Sequence, residues 1–186
     1  NTGADLVFLN ETQAAGRPAK QKGNLRVAAI IRSSVAGSEK IAADLVSMKA
    51  ELENLTLTPV AFQPEEDERV WRRAGWQGDI LYADEPLQAL SDFDVVISMR
   101  LHGCIVATSL AIPWIGIAYD PKVTAFASAC RWQFCCSPAE LTRIWLEEKL
   151  NVIAGRRQEL ADRLHRITGE NRRAVSEDFV GMLQKV

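Results

Sequence analysis

Apolar and polar positions along the chain fall into two alternating patterns: short β-branched runs, and longer segments with apolar residues every three or four positions. Leu25–Ile31 (LRVAAII) is the first run that reads as a buried strand. Gly37-Ser38-Glu39 then opens a helix to about Leu55, with Ile41, Leu45, Met48 and Leu52 on one face. A second strand is expected over Leu57–Gln63, made irregular by Pro59. Pro64 with Glu65, Glu66 and Asp67 makes a good helix start, and that helix should stop near Gly75. Asp79–Tyr82 predicts a third strand and Pro86–Ser91 a short helix. Asp94–Ser98 (DVVIS) is an almost unbroken apolar run, as expected of a parallel strand buried on both faces, and Leu101–Ala111 follows as a helix. Pro113–Ala118, a helix from Pro121 to about Cys130, and Gln133–Cys136 complete six strands. Pro138–Lys149 reads as helical. Val152–Leu183 reads as one long helix or two, broken or kinked near Gly169, with Ile153, Leu160, Leu164, Ile167, Val175, Phe179 and Met182 on its apolar side.

This alternation argues for an α/β fold, a parallel sheet with helices on both faces and a long C-terminal helix; the expected form is a Rossmann-like doubly wound sheet. Three stretches are expected: 1–24 as the tail of a preceding domain plus a linker, 25–150 as the Rossmann-like domain, and 151–186 as a helical extension. The 186 residues suffice to bury a proper core. Charge changes the picture little: 22 basic against 24 acidic residues gives no electrostatic reason to expect nucleic acid or an anionic membrane as main partner. No apolar run approaches the roughly 20 residues needed to span a bilayer, and nothing resembles a signal peptide. The chain begins at Asn1 without a methionine, as a fragment would. Cys104, Cys130, Cys135 and Cys136 form no CxxC pair, and adjacent Cys135 and Cys136 would face opposite ways on a strand. Buried free thiols in a reducing cytoplasm are expected, with no structural disulfide and no metal.

The most concentrated chemistry lies between Asp94 and Ala111. Arg100 and His102 stand two residues apart where a strand feeds a helix, the place where open α/β sheets put their ligands. A helix start and a guanidinium fork favour a phosphate or carboxylate. If the sheet is doubly wound, the turns after the first, fourth and fifth strands bring Arg32, Arg100, His102, Tyr119, Asp120 and Lys122 to one crevice. Each has a plainer alternative. Arg100 could pair with an acid while His102 packs at the helix start; Arg32 and Lys122 could be surface residues; Asp120-Pro121 could be a turn that starts a helix. His165, on the charged final helix, reads as a solvated or packing residue. There is no GxGxxG, GxxxxGK[ST], GxSxG or HExxH.

Asp94–Phe126 (DVVISMRLHGCIVATSLAIPWIGIAYDPKVTAF) closely resembles the characteristic block of the polysaccharide pyruvyl transferase family: a buried strand, Arg-Leu-His, an apolar helix, a proline-started strand and Tyr-Asp-Pro-Lys. Ala4-Asp5-Leu6 and Ile31-Arg32 are similar to the family as well, although the aromatic often found shortly after that arginine is absent. The Tyr-Asp-Pro-Lys form looks most like bacterial cell-wall enzymes that pyruvylate an N-acetylmannosamine polymer bound by S-layer-homology domains. The resemblance implies a glycosyltransferase-B-like architecture, of which this chain is the C-terminal, donor-binding half, with an N-terminal acceptor domain missing. It further implies phosphoenolpyruvate as donor, no cofactor, and a cell-wall polysaccharide or lipid-linked oligosaccharide as acceptor. The setting would be cytoplasmic, at the inner face of the membrane if the acceptor is lipid-linked. Arg100, Arg32 and Lys122 would supply the cations for the donor. His102 would be the general acid, or else a phosphate ligand, and Tyr119 and Asp120 would line the donor site or orient the acceptor. A fragment alone should bind donor without efficient turnover. Two rivals remain: the sugar-nucleotide-binding half of a glycosyltransferase, and a non-catalytic binding domain of the same fold.

Overall fold

The computed structural model describes residues 24–171, with the side chains of 170 and 171 excepted; the expected N-terminal tail and the end of the last helix lie outside the described residues. Six strands alternate with six helices: β1 (Leu25–Ile30), α1 (Ser38–Glu51), β2 (Leu55–Ala61), α2 (Pro64–Arg73), β3 (Leu81–Tyr82), α3 (Pro86–Leu90), β4 (Val95–Ser98), α4 (Leu101–Ser109), β5 (Trp114–Ile117), α5 (Pro121–Ala129), β6 (Cys135–Cys136) and α6 (Arg143–Asn171). The strands form one sheet in the order β3-β2-β1-β4-β5-β6, and every neighbouring pair is parallel. The chain thus winds outward from β1 in one direction and from β4 in the other, the expected doubly wound arrangement. α1 and α2 pack on each other and on β2, whereas α3, α5 and α6 gather around α4.

Burial follows the hydrophobic runs. Every residue of β4 and β5 is buried, as are Val27 to Ile31 of β1 and its exit. Next to β5 the core is aromatic: the Trp114 ring stacks between Phe126 (centroids 5.7 Å apart) and Trp132 (5.6 Å), and Trp132 Nε1 donates to the Trp114 carbonyl at 2.8 Å. Pro59 leaves β2 continuous with β1. Pairing with β3 begins only beyond it, at Val60 with Leu81. Near Gly75, the expected stop, α2 ends in a Schellman turn: the Trp76 N–H donates to the Trp71 carbonyl, the Gly75 N–H to that of Arg72, and Gly75 takes φ +89°.

The C-terminal region differs from expectation in two ways. Pro138–Thr142 is not helical: the Glu140 carboxylate accepts from both the backbone and the hydroxyl of Ser137, closing a local turn. α6 starts at Arg143, where Thr142 Oγ1 accepts from the Trp145 N–H. The break expected near Gly169 falls instead at Arg156 (φ −120°, ψ 19°), just after Gly155. There the neighbouring Arg157 pairs with Asp94 at 2.8 Å, which directs the second segment across the base of β4. Gly169 stays helical because Thr168 Oγ1 bonds both the Leu164 and Thr108 carbonyls, holding that turn against α4.

Candidate anion-binding site at the switch point

β1 and β4 are adjacent in the sheet, yet their following helices depart toward different groups, which makes their carboxyl ends the switch point where open α/β sheets form a ligand crevice. Ser98, fully buried at the end of β4, shapes its floor. Its Oγ donates to the Arg100 carbonyl at 2.7 Å and accepts from the Arg100 N–H at 3.1 Å, so the chain turns sharply into α4. Gly103 allows α4 to approach that turn. A Cβ there would collide with Ser98 Oγ and lie 2.6 Å from Ile30 Cδ1. The first N–H groups of α4, without carbonyl partners inside the helix, are the donors such a start offers.

Arg100, with 11% of its side chain exposed, reaches back across the crevice to α2. Its Nε and Nη2 donate to the fully buried Asp67 carboxylate at 2.5 to 3.2 Å, and Nη2 also reaches Gln63 Oε1 at 2.8 Å. Asp67 Oδ2 in turn accepts from the backbone N–H groups of Phe62 and Gln63, both at 3.0 Å. One carboxylate thereby fixes both the β2–α2 turn and the guanidinium. The acid-pairing alternative therefore describes this arginine correctly, and its Nη1 makes no hydrogen bond among the described residues.

Arg32, just past β1, donates from Nη1 to Tyr119 Oη at 2.8 Å and lies over the Tyr119 ring at 5.7 Å from its centroid. That hydrogen bond leads the causes that hold the Arg32 pKa above its ordinary value. An aromatic partner for this arginine thus comes from the turn after β5. Glu66 joins the two arginines. Its Oε1 accepts from Ser34 Oγ at 2.7 Å and from Arg32 Nε at 3.4 Å, while its Oε2 accepts from Arg100 Nη2 at 3.3 Å. The Ser34 hydrogen bond, then the Arg100 hydrogen bond and the charges of both arginines, hold the Glu66 carboxyl below its usual value against the opposing effect of burial.

The other expected residues follow β4 and β5 in the chain. His102 is exposed on the first turn of α4, and partial burial of its ring and the charge of Arg100 push its pKa down, favouring neutral imidazole. Asp120 caps α5, with Oδ1 accepting from the Lys122 N–H at 2.8 Å. The Lys122 side chain is exposed and makes no hydrogen bond to the arginine cluster among the described residues. The structure therefore joins Arg32, Arg100 and Tyr119 in one network, sets His102 beside it, and leaves Asp120 and Lys122 outside its hydrogen bonds. Gln63, Glu66, Asp67 and Ser34 are the members that sequence reasoning missed. The acids of the Pro64 helix start were visible only as complements to its dipole, although the turn after β2 opens at the same end of the sheet. Among the described residues no group of three or more His, Cys, Asp or Glu is placed to hold a metal ion.

Residues 1–121 match the polysaccharide pyruvyl transferase family. The chain belongs to that family. The match takes in Arg32, Arg100, His102, Tyr119 and Asp120 and ends at Pro121, one residue before Lys122. No curated protein matches the chain significantly. Among solved structures, the glycotransferase of kitacinnamycin superposes with TM-score 0.61 and 16% identity, over 88% of this chain and 43% of that one. A GtfA/B complex gives 0.58 and 16%, over 90% of this chain and 37% of that one. At that identity the likeness concerns the fold, a glycosyltransferase-B-like α/β sheet with a long C-terminal helix. The chain spans less than half the length of either structure.

Proposed function

We propose that the crevice at the carboxyl ends of β1, β4 and β5 binds phosphoenolpyruvate, and that this chain is the donor half of an enzyme transferring its pyruvyl group to a polysaccharide. One observation carries the reading: Arg32 and Arg100, delivered from adjacent strands, converge on a single carboxylate, that of Glu66. Two guanidiniums meeting at one anion, each through one nitrogen, suit a ligand with a carboxylate and a phosphate on a small frame.

The chemistry follows from the donor. A proton from His102 adds to the terminal carbon of the enol, making the neighbouring carbon electrophilic. A sugar hydroxyl attacks that carbon and loses its proton, and the bond to the phosphate oxygen breaks with its electron pair leaving on phosphate. A second hydroxyl then closes the ketal. Partial burial and the Arg100 charge favour the neutral imidazole of His102, and an anion bound beside it raises its proton affinity, so the donor itself primes the acid. The acceptor is a cell-wall polysaccharide, most narrowly an N-acetylmannosamine-type residue whose ketal serves S-layer anchoring, presented by a separate N-terminal domain. Among the described residues no helix is long and apolar enough to cross a membrane. A cytoplasmic setting fits a soluble metabolite as donor, with a lipid-linked acceptor bringing the protein to the inner face of the membrane.

The likeness to glycosyltransferases favours a second reading, a sugar-nucleotide site in the same crevice. Calorimetric titration of the chain with phosphoenolpyruvate and with uridine and guanosine sugar nucleotides separates the two. Saturable binding of phosphoenolpyruvate alone is expected, weakened at least tenfold in Arg32→Ala. A preference for a sugar nucleotide would overturn the donor reading. Arg100→Ala should also abolish binding, but it strands buried Asp67, so its circular dichroism must be shown unchanged.

A further inference from the structure

Two neighbouring acids of α2 meet Arg100 in very different ways. Asp67 is fully buried, fixed by two backbone N–H groups, and bonded to the guanidinium at 2.5 to 3.2 Å. Glu66 is 30% exposed, and its arginine contacts are long, 3.4 Å to Arg32 and 3.3 Å to Arg100. No backbone donor bonds its carboxylate among the described residues, and only the exposed Ser34 hydroxyl holds it closely, at 2.7 Å. Asp67 is thus a permanent counter-ion, whereas Glu66 sits on a flexible stem open to water.

We propose that Glu66 is a built-in stand-in for an anionic group of the donor, occupying the seat between Arg32 and Arg100 until the ligand displaces it. This rests on the reading of the crevice as the donor site. Asp67 keeps Arg100 in place, but without an anion between the two guanidiniums Arg32 is repelled from it. A tethered carboxylate keeps them aligned, and because partly exposed pairs with long contacts are weak, it yields to a multiply charged phosphate or carboxylate. The vacated carboxylate swings into water, and the ligand meets Arg32 and the edge of Arg100 that Asp67 leaves free. Glu66 therefore competes with the donor, lowering apparent affinity while excluding weaker anions.

The test is calorimetric titration of phosphoenolpyruvate and, separately, inorganic phosphate into the wild-type chain, Glu66→Gln and Glu65→Gln. Glutamine keeps the shape and the Ser34 contact but gives up the charge. Exposed Glu65, on the same turn, controls for the change in net charge. Both ligands are expected to bind Glu66→Gln roughly three- to tenfold more tightly than wild type, with Glu65→Gln close to wild type. Equal or weaker binding by Glu66→Gln, with wild type still binding, overturns the stand-in role and leaves the donor site intact. An equal gain in Glu65→Gln reduces the effect to net charge and overturns it as well. Silence from the wild type and both variants overturns the donor site and the stand-in with it.

Discussion

At position 103 the geometry of the crevice depends on the absence of a methyl group. Ser98 Oγ cannot retreat from a new Cβ, because it is already bonded to both the N–H and the carbonyl of Arg100, and Ile30 Cδ1 closes the other side. Gly103→Ala should therefore push α4 away from β4. The expected cost is about 2 to 3 kcal/mol in urea denaturation, together with weaker phosphoenolpyruvate binding, since Arg100 and His102 ride on that turn. A variant as stable as wild type would show that the turn relaxes freely. The Arg-Leu-His-Gly string is plain in the sequence, but what the glycine avoids is not, because Ile30 lies on another strand. Asp67 was hidden in the same way: 33 residues separate it from Arg100, and only the folded sheet makes them neighbours. Arg100 and His102 were legible because a strand feeding a helix is a local pattern with a known place at the sheet's end.

Among the elements, α6 shows best how a helix is fixed at two points along its length. Arg143 ties its start to Glu51 of α1 at 2.5 Å, and Arg157 ties its middle to Asp94 at the base of β4. Asp94, only 8% exposed, also accepts from the backbone and side chain of Arg26. Burial pushes the Asp94 pKa up, but the Arg26 hydrogen bonds and the Arg157 and Arg26 charges outweigh it and hold it below the usual aspartate value. An acid with a depressed folded pKa contributes stability that is complete above its unfolded value and is lost as pH falls through the folded one. Asp94→Asn should lower stability by about 2 kcal/mol at pH 7 and flatten the loss seen below pH 4, as followed by thermal melts across pH. An unchanged acid limb would mean that other carboxylates carry it. The apolar stripe of α6 was readable, with Ile153, Leu160 and Leu164 all buried. Its kink was not, because its position depends on Asp94, some sixty residues earlier in the chain.

Over the whole molecule, strand length and sheet position imply a gradient of protection. β1 and β4 are central and flanked on both sides, while β3 and β6 are two-residue edges. Native-state hydrogen exchange should find the slowest amides in β1 and β4 and the fastest strand amides in β3 and β6; comparable rates throughout would contradict this order. The parallel sheet covered on both faces was legible from the strand–helix alternation, but the strand order was not, because alternation does not say where the chain reverses its winding. The extents of the edge strands were not, since an apolar run does not show how much of it finds a partner. One contact sets a further constraint. The sheet's two wings share a charge pair, with Asp67 on the wing built from β2 and Arg100 on the wing that starts at β4. Gene recombination that crosses over between these positions therefore inherits half of an ionic lock unless the other parent carries the same pair. The segment from Asp67 to Arg100 behaves as one heritable block, although it contains three whole elements.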